Sequence, residues 1–255
     1  MGHLASIHAG RAPSAASGTT IVAHRGAAGL WVENSLSAFD RALAAGYDAV
    51  EFDVHFTRDR VPVVIHDLTV DRTTDGHGAV ADMDLADLRR LRLTDTDGEI
   101  VPTLAEVLDR LRPAAATAIV EIKFQADPAG HDAHCRLLAD ALEAAGMRER
   151  VTISAFDWRS IAAVAALDRG FDLTGVLRAR DVPGAADAVA AARRLKAIGG
   201  AQLGLEFRAI DAGIVAACAA EGVGLGAWTA NEAADLARLR ALGVGWIITD
   251  RPDRA

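Results

Sequence analysis

Eight short apolar runs, spread along almost the whole chain, constrain the fold more than any other feature of this sequence. Each run has the length of a β-strand, and its continuous apolar character is typical of strands covered on both faces. The segments between them are amphipathic; Leu36, Phe39 and Leu43, for example, have helical spacing. The runs cover residues 21–26, 49–54, 118–123, 151–156, 173–177, 203–207, 224–229 and 245–250.

Strands that alternate with helices indicate an α/β protein, and eight such units favour a closed (β/α)₈ TIM barrel over an open sheet. The chain has 255 residues, close to the usual length of that fold. We therefore expect a single domain over residues 19–255. A further strand-like run at residues 61–66, followed by a polar stretch, predicts an elaborated loop after strand 2. Residues 1–18 are expected to form a flexible leader.

Charge and cysteine content limit the partners and the location. The net charge of −8 argues against a nucleic-acid partner, because nucleic-acid-binding surfaces are usually basic. Two cysteines, Cys135 and Cys218, are too few for a disulfide framework and favour a reducing, cytoplasmic location. No apolar stretch reaches about 18 residues, so no membrane span is predicted. Residues 1–18 lack the apolar core of a signal peptide, and no pattern selects an oligomeric state.

Residues that can carry chemistry stand at the ends of the apolar runs, where the active sites of such barrels lie. The first run contains His24, the second carries Glu51 and Asp53, and the third ends in Glu121 and Lys123. Side chains two apart on a strand point the same way, so Glu51 and Asp53 share a face, as do Glu121 and Lys123. We therefore expect three carboxylates, one histidine and one lysine at the mouth of the barrel.

The three carboxylates cannot all stay ionised in one cleft without compensation. A divalent cation supplies that compensation, and oxygen-only ligands favour Mg²⁺ or Ca²⁺, and also Mn²⁺, over zinc. A structural network that pairs the carboxylates with Arg25 and Lys123 is an equal alternative from the spacing alone.

Two histidines are a second feature of the predicted mouth. His24 precedes Arg25 near the end of the first run, and His66 follows the strand-like run and precedes Asp67. One histidine as acid and one as base would serve the cleavage of a phosphodiester. Arg25 offers a bidentate donor to phosphate, and Lys123 offers a point charge. A buried hydrogen-bonding histidine is the commoner role for a single such residue, so both interpretations stay open.

Two smaller predictions concern the loops. Asn34 or Ser35 is expected to cap the first helix, and Asn231 the last. Trp228, at the seventh strand end, is expected to line the pocket.

The order of these motifs resembles that of the glycerophosphodiester phosphodiesterases. Shared with that family are His-Arg-Gly, then Glu-Asn-Ser before a helix, then Glu-x-Asp on the second strand. His-Asp followed by Arg-Thr-Thr, Glu-x-Lys, Trp-Thr and Thr-Asp-x-Pro also match. The motifs stand in family order at residues 24–26, 33–35, 51–53, 66–67, 72–74, 121–123, 228–229 and 249–252.

The resemblance implies a (β/α)₈ barrel, a divalent metal ion, and hydrolysis of a small glycerophosphodiester to glycerol 3-phosphate and an alcohol. By position, it also implies roles for seven residues. These are His24 and His66 as the acid–base pair, Glu51, Asp53 and Glu121 as metal ligands, and Arg25 and Lys123 as phosphate contacts.

Three alternatives to this function remain in view. A lysophospholipase D or a sphingomyelinase D, which resemble this family, would act on lipid headgroups. A catalytically inactive binding barrel is a second alternative, against which the complete set of histidines and carboxylates argues. A metal-dependent lyase or isomerase with Lys123 as base is a third, but it would leave the two histidines without a role.

The predicted site has two histidines and no evident protein nucleophile. This pattern favours a hypothesis in which the glycerol hydroxyl next to the esterified carbon attacks phosphorus. That step would give a five-membered cyclic phosphate, which water then opens.

Overall fold

The computed structural model describes residues 18–47, 49–114, 116–123 and 131–255. The leader predicted over residues 1–18 lies outside these residues except for Gly18. Nine strands lie within the described ranges, and eight of them are parallel. They are β1 (Thr20–His24), β2 (Ala49–Phe56), β3 (Pro62–Val64), β4 (Thr117–Ile122), β5 (Val151–Ala155), β6 (Asp172–Leu177), β7 (Gln202–Glu206), β8 (Gly224–Trp228) and β9 (Trp246–Thr249).

The eight parallel strands close into a barrel, because β1 pairs with β9 on one side and with β2 on the other. Helices follow the strands and cover the outside of the barrel. The helices are α1 (Leu36–Ala44), α2 (Leu85–Leu88), α3 (Leu104–Leu111), α4 (His131–Ala144), α5 (Trp158–Ala165), α6 (Ala185–Ala197), α7 (Ala212–Ala220) and α8 (Ala233–Ala241). The prediction of a single-domain (β/α)₈ barrel is confirmed. Within the described ranges, no helix has the length and hydrophobicity that a membrane crossing needs.

The helix caps were only partly predicted. Ser35 caps α1, and its side chain accepts a hydrogen bond from the backbone N–H of Ala38. Asn231 does not cap α8, because that helix begins one residue later, with Glu232 at the cap position. The side chain of Asn231 instead turns towards the mouth of the barrel, where it contacts Asp250.

The elaborated loop after β2 forms a small core of its own. Its strand β3 pairs antiparallel with β2, with His55 opposite Val63. Because β3 ends at Val64, this hairpin fixes the position of His66 beside the mouth. The buried residues of this core are Val63, Ile65, Val70, Val80, Leu88, Leu93 and Val101.

Trp246 fills the middle of the barrel and forms the floor below the mouth. Its indole N–H donates a hydrogen bond to Oε1 of Gln202 over 2.8 Å. A Cβ atom on Gly226 would lie only 2.0 Å from the indole ring, so only glycine fits on that facing strand. Val22, Ile119 and Ile248 pack around the same ring. The polar residues of the mouth therefore stand on an apolar floor.

Candidate active site

The register of three neighbouring strands brings the predicted carboxylates together. His24 on β1 is level with Glu51 on β2, and Asp53 on β2 is level with Glu121 on β4. One oxygen from each of the three carboxylates lies within 4.8 Å of the others. Glu51 is 2% exposed and Asp53 is 0% exposed. The convergence predicted from strand parity is confirmed.

Burial and mutual repulsion disturb the ionisation of these carboxylates. Burial and the neighbouring charge of Asp53 raise the pKa of Glu51 to about 8. Burial also raises the pKa of Glu121, against the opposing charge of Lys123. Burial acts on Asp53 in the same direction, but Lys123 and Arg25 outweigh it and hold the pKa of Asp53 below its usual range. A fully ionised triad would therefore carry more negative charge than its neighbouring cations stabilise.

The donor set fits a hard divalent cation. Among the residues that the structure describes, Oδ1 of Asp53 is buried and accepts no well-aligned hydrogen bond, although the Lys123 ammonium lies 3.0 Å away. Three carboxylates at this spacing can share one ion through bonds of about 2.0–2.6 Å. A positive charge at that point would offset the repulsion that raises the pKa of Glu51.

His24 is held by a carboxylate from the last strand end. Its Nδ1 lies 2.6 Å from Oδ1 of Asp250, and its Nε2 lies 3.7 Å from Oε2 of Glu51. Asp250 in turn accepts from the amide of Asn231 over 2.7 Å and donates its own backbone N–H back to that side chain. The carboxylate of Asp250 thus favours a proton on Nδ1 and directs Nε2 towards the triad. Burial lowers the pKa of His24, but Glu51 and Asp250 together raise it above the usual value.

His66 has a carboxylate partner of the same kind but the opposite pKa shift. Its Nδ1 lies 2.6 Å from Oδ1 of Asp67, and Arg72 donates to that carboxylate over 2.6 Å. The hydrogen bond from Arg72 is the main reason that the pKa of Asp67 falls to about 2. Burial, aided by the charge of Lys123, lowers the pKa of His66. The two imidazoles therefore differ in their preferred protonation state: the surroundings favour the charged form of His24 and the neutral form of His66.

His55 fixes the backbone at His66. Its side chain is 3% exposed, and its Nε2 lies 3.0 Å from the carbonyl oxygen of His66. Burial lowers the pKa of His55, so the neutral ring donates this hydrogen bond. His55 therefore supports the position of His66 through the main chain.

The two predicted phosphate contacts also stand at the mouth. Nη1 of Arg25 donates to Glu33 over 2.9 Å, and its Nε lies 3.2 Å from Asp53. The Lys123 ammonium lies between Glu121 and Asp53, at 2.7 and 3.0 Å. Arg25 adopts a left-handed backbone with φ of 50°, a strained conformation that is common at functional sites.

The mouth opens into a cavity of about 590 Å³ with two unlike sides. The charged side comes from β1, β2, β4 and the loop after β3, and contains His24, Arg25, Glu51, His66, Glu121 and Lys123. The aromatic side comes from β5, β6, β8 and β9, and contains Phe156, Val176, Trp228, Trp246 and Ile248.

Trp228 lines this cavity, as predicted. Its ring meets Phe156 edge to face, with centroids 5.2 Å apart, and its indole N–H donates to the carbonyl oxygen of Gly204 over 3.1 Å. Both ring planes are thereby fixed, and the aromatic side is a rigid wall.

Sequence reasoning missed the residues that hold the two histidines. Asp250 lies in the shared Thr-Asp-x-Pro motif, and β9 must neighbour β1 in any closed eight-stranded barrel. The contact between Asp250 and His24 could have been predicted from these two facts together. Asp67 follows His66 directly, so its role was accessible from the motif as well.

The protein is thus a TIM barrel in which two histidines, each held by a carboxylate, stand beside a buried carboxylate triad. The chain belongs to the glycerophosphoryl diester phosphodiesterase family, whose sequence model matches residues 24–254. It is therefore an enzyme of a hydrolase family that acts on phosphodiesters.

Relatives and solved structures agree with this assignment. The chain is 32% identical to the glycerophosphodiester phosphodiesterase of Caldanaerobacter subterraneus subsp. tengcongensis, over 92% of this chain and 95% of that protein. It is 29% identical to a Bacillus subtilis glycerophosphodiester phosphodiesterase, with coverages of 91% and 83%. The crystal structure of a proposed glycerophosphoryl diester phosphodiesterase from Agrobacterium tumefaciens matches with a TM-score of 0.86 at 28% identity, covering 93% and 95% of the two chains.

The fold also matches an Oleispira antarctica phosphodiesterase solved with its product sn-glycerol 3-phosphate. That match has a TM-score of 0.82 at 23% identity and covers 93% of this chain and 95% of that one.

Proposed function

We propose that this enzyme hydrolyses glycerophosphodiesters to glycerol 3-phosphate and an alcohol, and that it needs a divalent cation held by Glu51, Asp53 and Glu121. The observation that carries the proposal is the presence, at one mouth of the barrel, of this triad and of two histidines each held by a carboxylate. The product bound by the Oleispira antarctica protein supports the same product class.

The charged side supplies the groups that phosphodiester cleavage requires. A bound Mg²⁺, Ca²⁺ or Mn²⁺ ion would stabilise negative charge on the phosphoryl group and orient the glycerol hydroxyls. Arg25 and Lys123 line the same cavity and add two further positive charges for the phosphoryl oxygens.

The two histidines divide the proton transfers. His66, with its lowered pKa, is suited to accept the proton of the glycerol hydroxyl next to the esterified carbon. That oxygen forms a bond to phosphorus, the bond from phosphorus to the alcohol oxygen breaks, and His24 gives its Nε2 proton to the departing alcohol. The product of this step is a five-membered cyclic phosphate, favoured by the high effective molarity of a neighbouring hydroxyl.

Water then opens the ring with the two histidine roles exchanged. His24, now neutral, accepts a proton from water, and His66 returns a proton to the glycerol oxygen. The site therefore ends in its starting protonation state and releases glycerol 3-phosphate. Asp250 and Asp67 support the exchange because each stabilises the charged form of its histidine.

The proposed activity is tested by release of glycerol 3-phosphate from purified glycerophosphodiesters, measured with a coupled dehydrogenase. The route is tested by an analogue whose vicinal hydroxyl is replaced by hydrogen. We expect the analogue to bind as a competitive inhibitor and to resist cleavage. Cleavage at a rate near that of the parent diester would mean that water attacks phosphorus directly.

One observation favours a lysophospholipase D as the second candidate. Leu68 lines the cavity and is still 53% exposed, so an acyl chain could lie against it at the rim. Comparing soluble glycerophosphocholine with lysophosphatidylcholine vesicles separates the two. A higher kcat/KM on vesicles, lost in Leu68→Ser, would favour the second candidate.

We also propose a cytoplasmic role in the recycling of deacylated glycerophospholipids. Cys135 and Cys218 are both free and buried, as is usual for thiols in a reducing compartment. The substrates proposed above have the chemistry of glycerophospholipids that have lost both acyl chains.

A further inference from the structure

Arg178 adds a positive charge to the aromatic side of the cavity. It follows β6 directly and lines the cavity, and its guanidinium lies over the ring of Phe156, 4.7 Å from the centroid. Phe156 in turn contacts Trp228. The wall opposite the triad is therefore two aromatic rings with a cation seated against one of them.

The backbone at Arg178 is fixed from two sides. Its N–H donates to Oδ2 of Asp181 over 2.9 Å, and the next N–H, of Ala179, donates to Oε2 of Glu206 over 3.0 Å. The aromatic contact then fixes the far end of the side chain. The backbone hydrogen bonds and the ring contact together place Arg178 at the cavity wall.

The carboxylates around Arg178 have other partners. Asp157 also lines the cavity, but it caps α5 and forms an ion pair with Arg159 over 2.6 Å. Glu206 accepts from Ala179, and Asp181 accepts from the Arg178 backbone. Among the described residues, no carboxylate oxygen comes within 4.0 Å of the Arg178 guanidinium nitrogens. The positive charge of this side chain is available to whatever occupies the aromatic side.

We propose that Phe156, Trp228 and Arg178 form the subsite for the leaving alcohol, and that Arg178 makes the enzyme prefer alcohols with an acidic group, then neutral alcohols, over cationic ones such as choline. This inference rests on the proposed function, in which the glycerol faces the carboxylates of the charged side. The alcohol then has to face the opposite wall. There the face of Phe156 that would attract a quaternary ammonium already carries a guanidinium.

Three matched diesters isolate the charge of the alcohol. Glycerophosphocholine and the diester of 3,3-dimethylbutan-1-ol have nearly the same shape and differ by one positive charge. The diester of 3-hydroxypropanoate carries a negative charge on a linker of the same length. For each, kcat/KM is measured in the wild type and in Arg178→Gln and Arg178→Glu. Ratios between variants cancel intrinsic differences in leaving ability.

Because Arg178 is exposed to solvent, its charge is screened, and we expect effects of about tenfold rather than larger ones. The wild type should favour the acidic diester over the choline diester. Arg178→Gln should reduce that preference by about tenfold, and Arg178→Glu should reverse it, both mainly through KM. High salt should weaken the preference of the wild type.

Arg208→Gln is the matched control. The guanidinium of Arg208 also lies over a phenylalanine ring, 4.6 Å from the centroid of Phe207. Among the residues that the structure describes, however, Arg208 is not one that lines the cavity. Its substitution should leave the preference unchanged. If Arg178→Glu changed all three diesters equally, or if Arg178→Gln did not raise the kcat/KM of the choline diester relative to that of its neutral isostere, the subsite assignment would be wrong. A wild type that cleaves none of the diesters would remove the proposed function, and this inference with it.

Discussion

The two sides of the cavity are built by different physical means. On the charged side, each side chain is held by hydrogen bonds and ion pairs to its neighbours. The carboxylate of Asp53, for example, has nitrogen atoms of Arg25, Asn34 and Lys123 within 3.2 Å. On the aromatic side, Phe156, Trp228 and their neighbours are held mainly by packing. The first arrangement fixes charges where phosphoryl transfer needs them, and the second fixes a shape.

This difference separates chemistry from substrate choice. Changes on the charged side should slow the cleavage of every alcohol ester by a similar factor. Changes on the aromatic side should alter the ranking of the alcohols while leaving the proton transfers intact. The experiments below test that separation, beginning with the variants whose expected effects are largest.

The largest effect is expected from the triad. Glu51→Gln and Asp53→Asn should each abolish measurable turnover for all diesters, because the remaining carboxylate ligands cannot hold the ion tightly. Without added metal, Glu51→Gln should melt at the same temperature as the wild type or higher, since it removes buried repulsion. Glu206→Gln, at another strand end of the mouth, is the control and should stay active. Near-normal turnover in either triad variant would make these carboxylates structural.

The histidines come next. His24→Ala and His66→Ala should each lower kcat by about 10²–10⁴, the range for loss of a general acid or base. The double variant should lose less than the product of the two, because the residues act as one unit. His77→Ala replaces an exposed histidine of the same elaborated loop and serves as control. A variant with normal kcat would exclude that histidine from the proton transfers.

A smaller effect is expected from Asp250, which acts through His24. Asp250→Asn should lower kcat by about 10- to 100-fold, as for other residues that orient a functional histidine. It should also lower the pKa of His24, followed by NMR, because it removes a carboxylate that raises that pKa. In a His24→Ala background, Asp250→Asn should have no further effect on kcat. An independent loss there would show that Asp250 contributes in another way.

The smallest effect is expected from Trp228. Trp228→Leu removes part of the aromatic wall and should raise KM about three- to tenfold for diesters of bulky alcohols. The methyl ester of glycerol 3-phosphate has no bulky alcohol to place against the wall and should be cleaved normally. Equal loss on both substrates would mean that Trp228 supports the charged side as well.

The sequence was most informative where strand geometry applies. Parity along β2 and β4 was enough to place Glu51, Asp53 and Glu121 on one face, and the order of the barrel strands brought them together. The contact between His24 and Asp250 joins residues 226 positions apart and depends on closure of the barrel.

Loop residues were harder to assign. Asn231 precedes a helical segment, as a capping residue does, yet its side chain donates a hydrogen bond to Asp250 instead. Arg178 belongs to no motif, and its position depends on the ring of Phe156, which follows a different strand, β5. For such residues the local sequence pattern contains no information about the partner.

If the charged side and its divalent cation perform the chemistry whatever the alcohol, every diester should lose activity when the ion is removed. Release of glycerol 3-phosphate should be measured from glycerophosphocholine and from the 3-hydroxypropanoate diester, before and after chelation and after readdition of Mg²⁺, Ca²⁺ or Mn²⁺. We expect chelation to abolish turnover of both substrates and one of these ions to restore both in their original ratio. Full turnover of either substrate by the chelated enzyme would contradict this expectation.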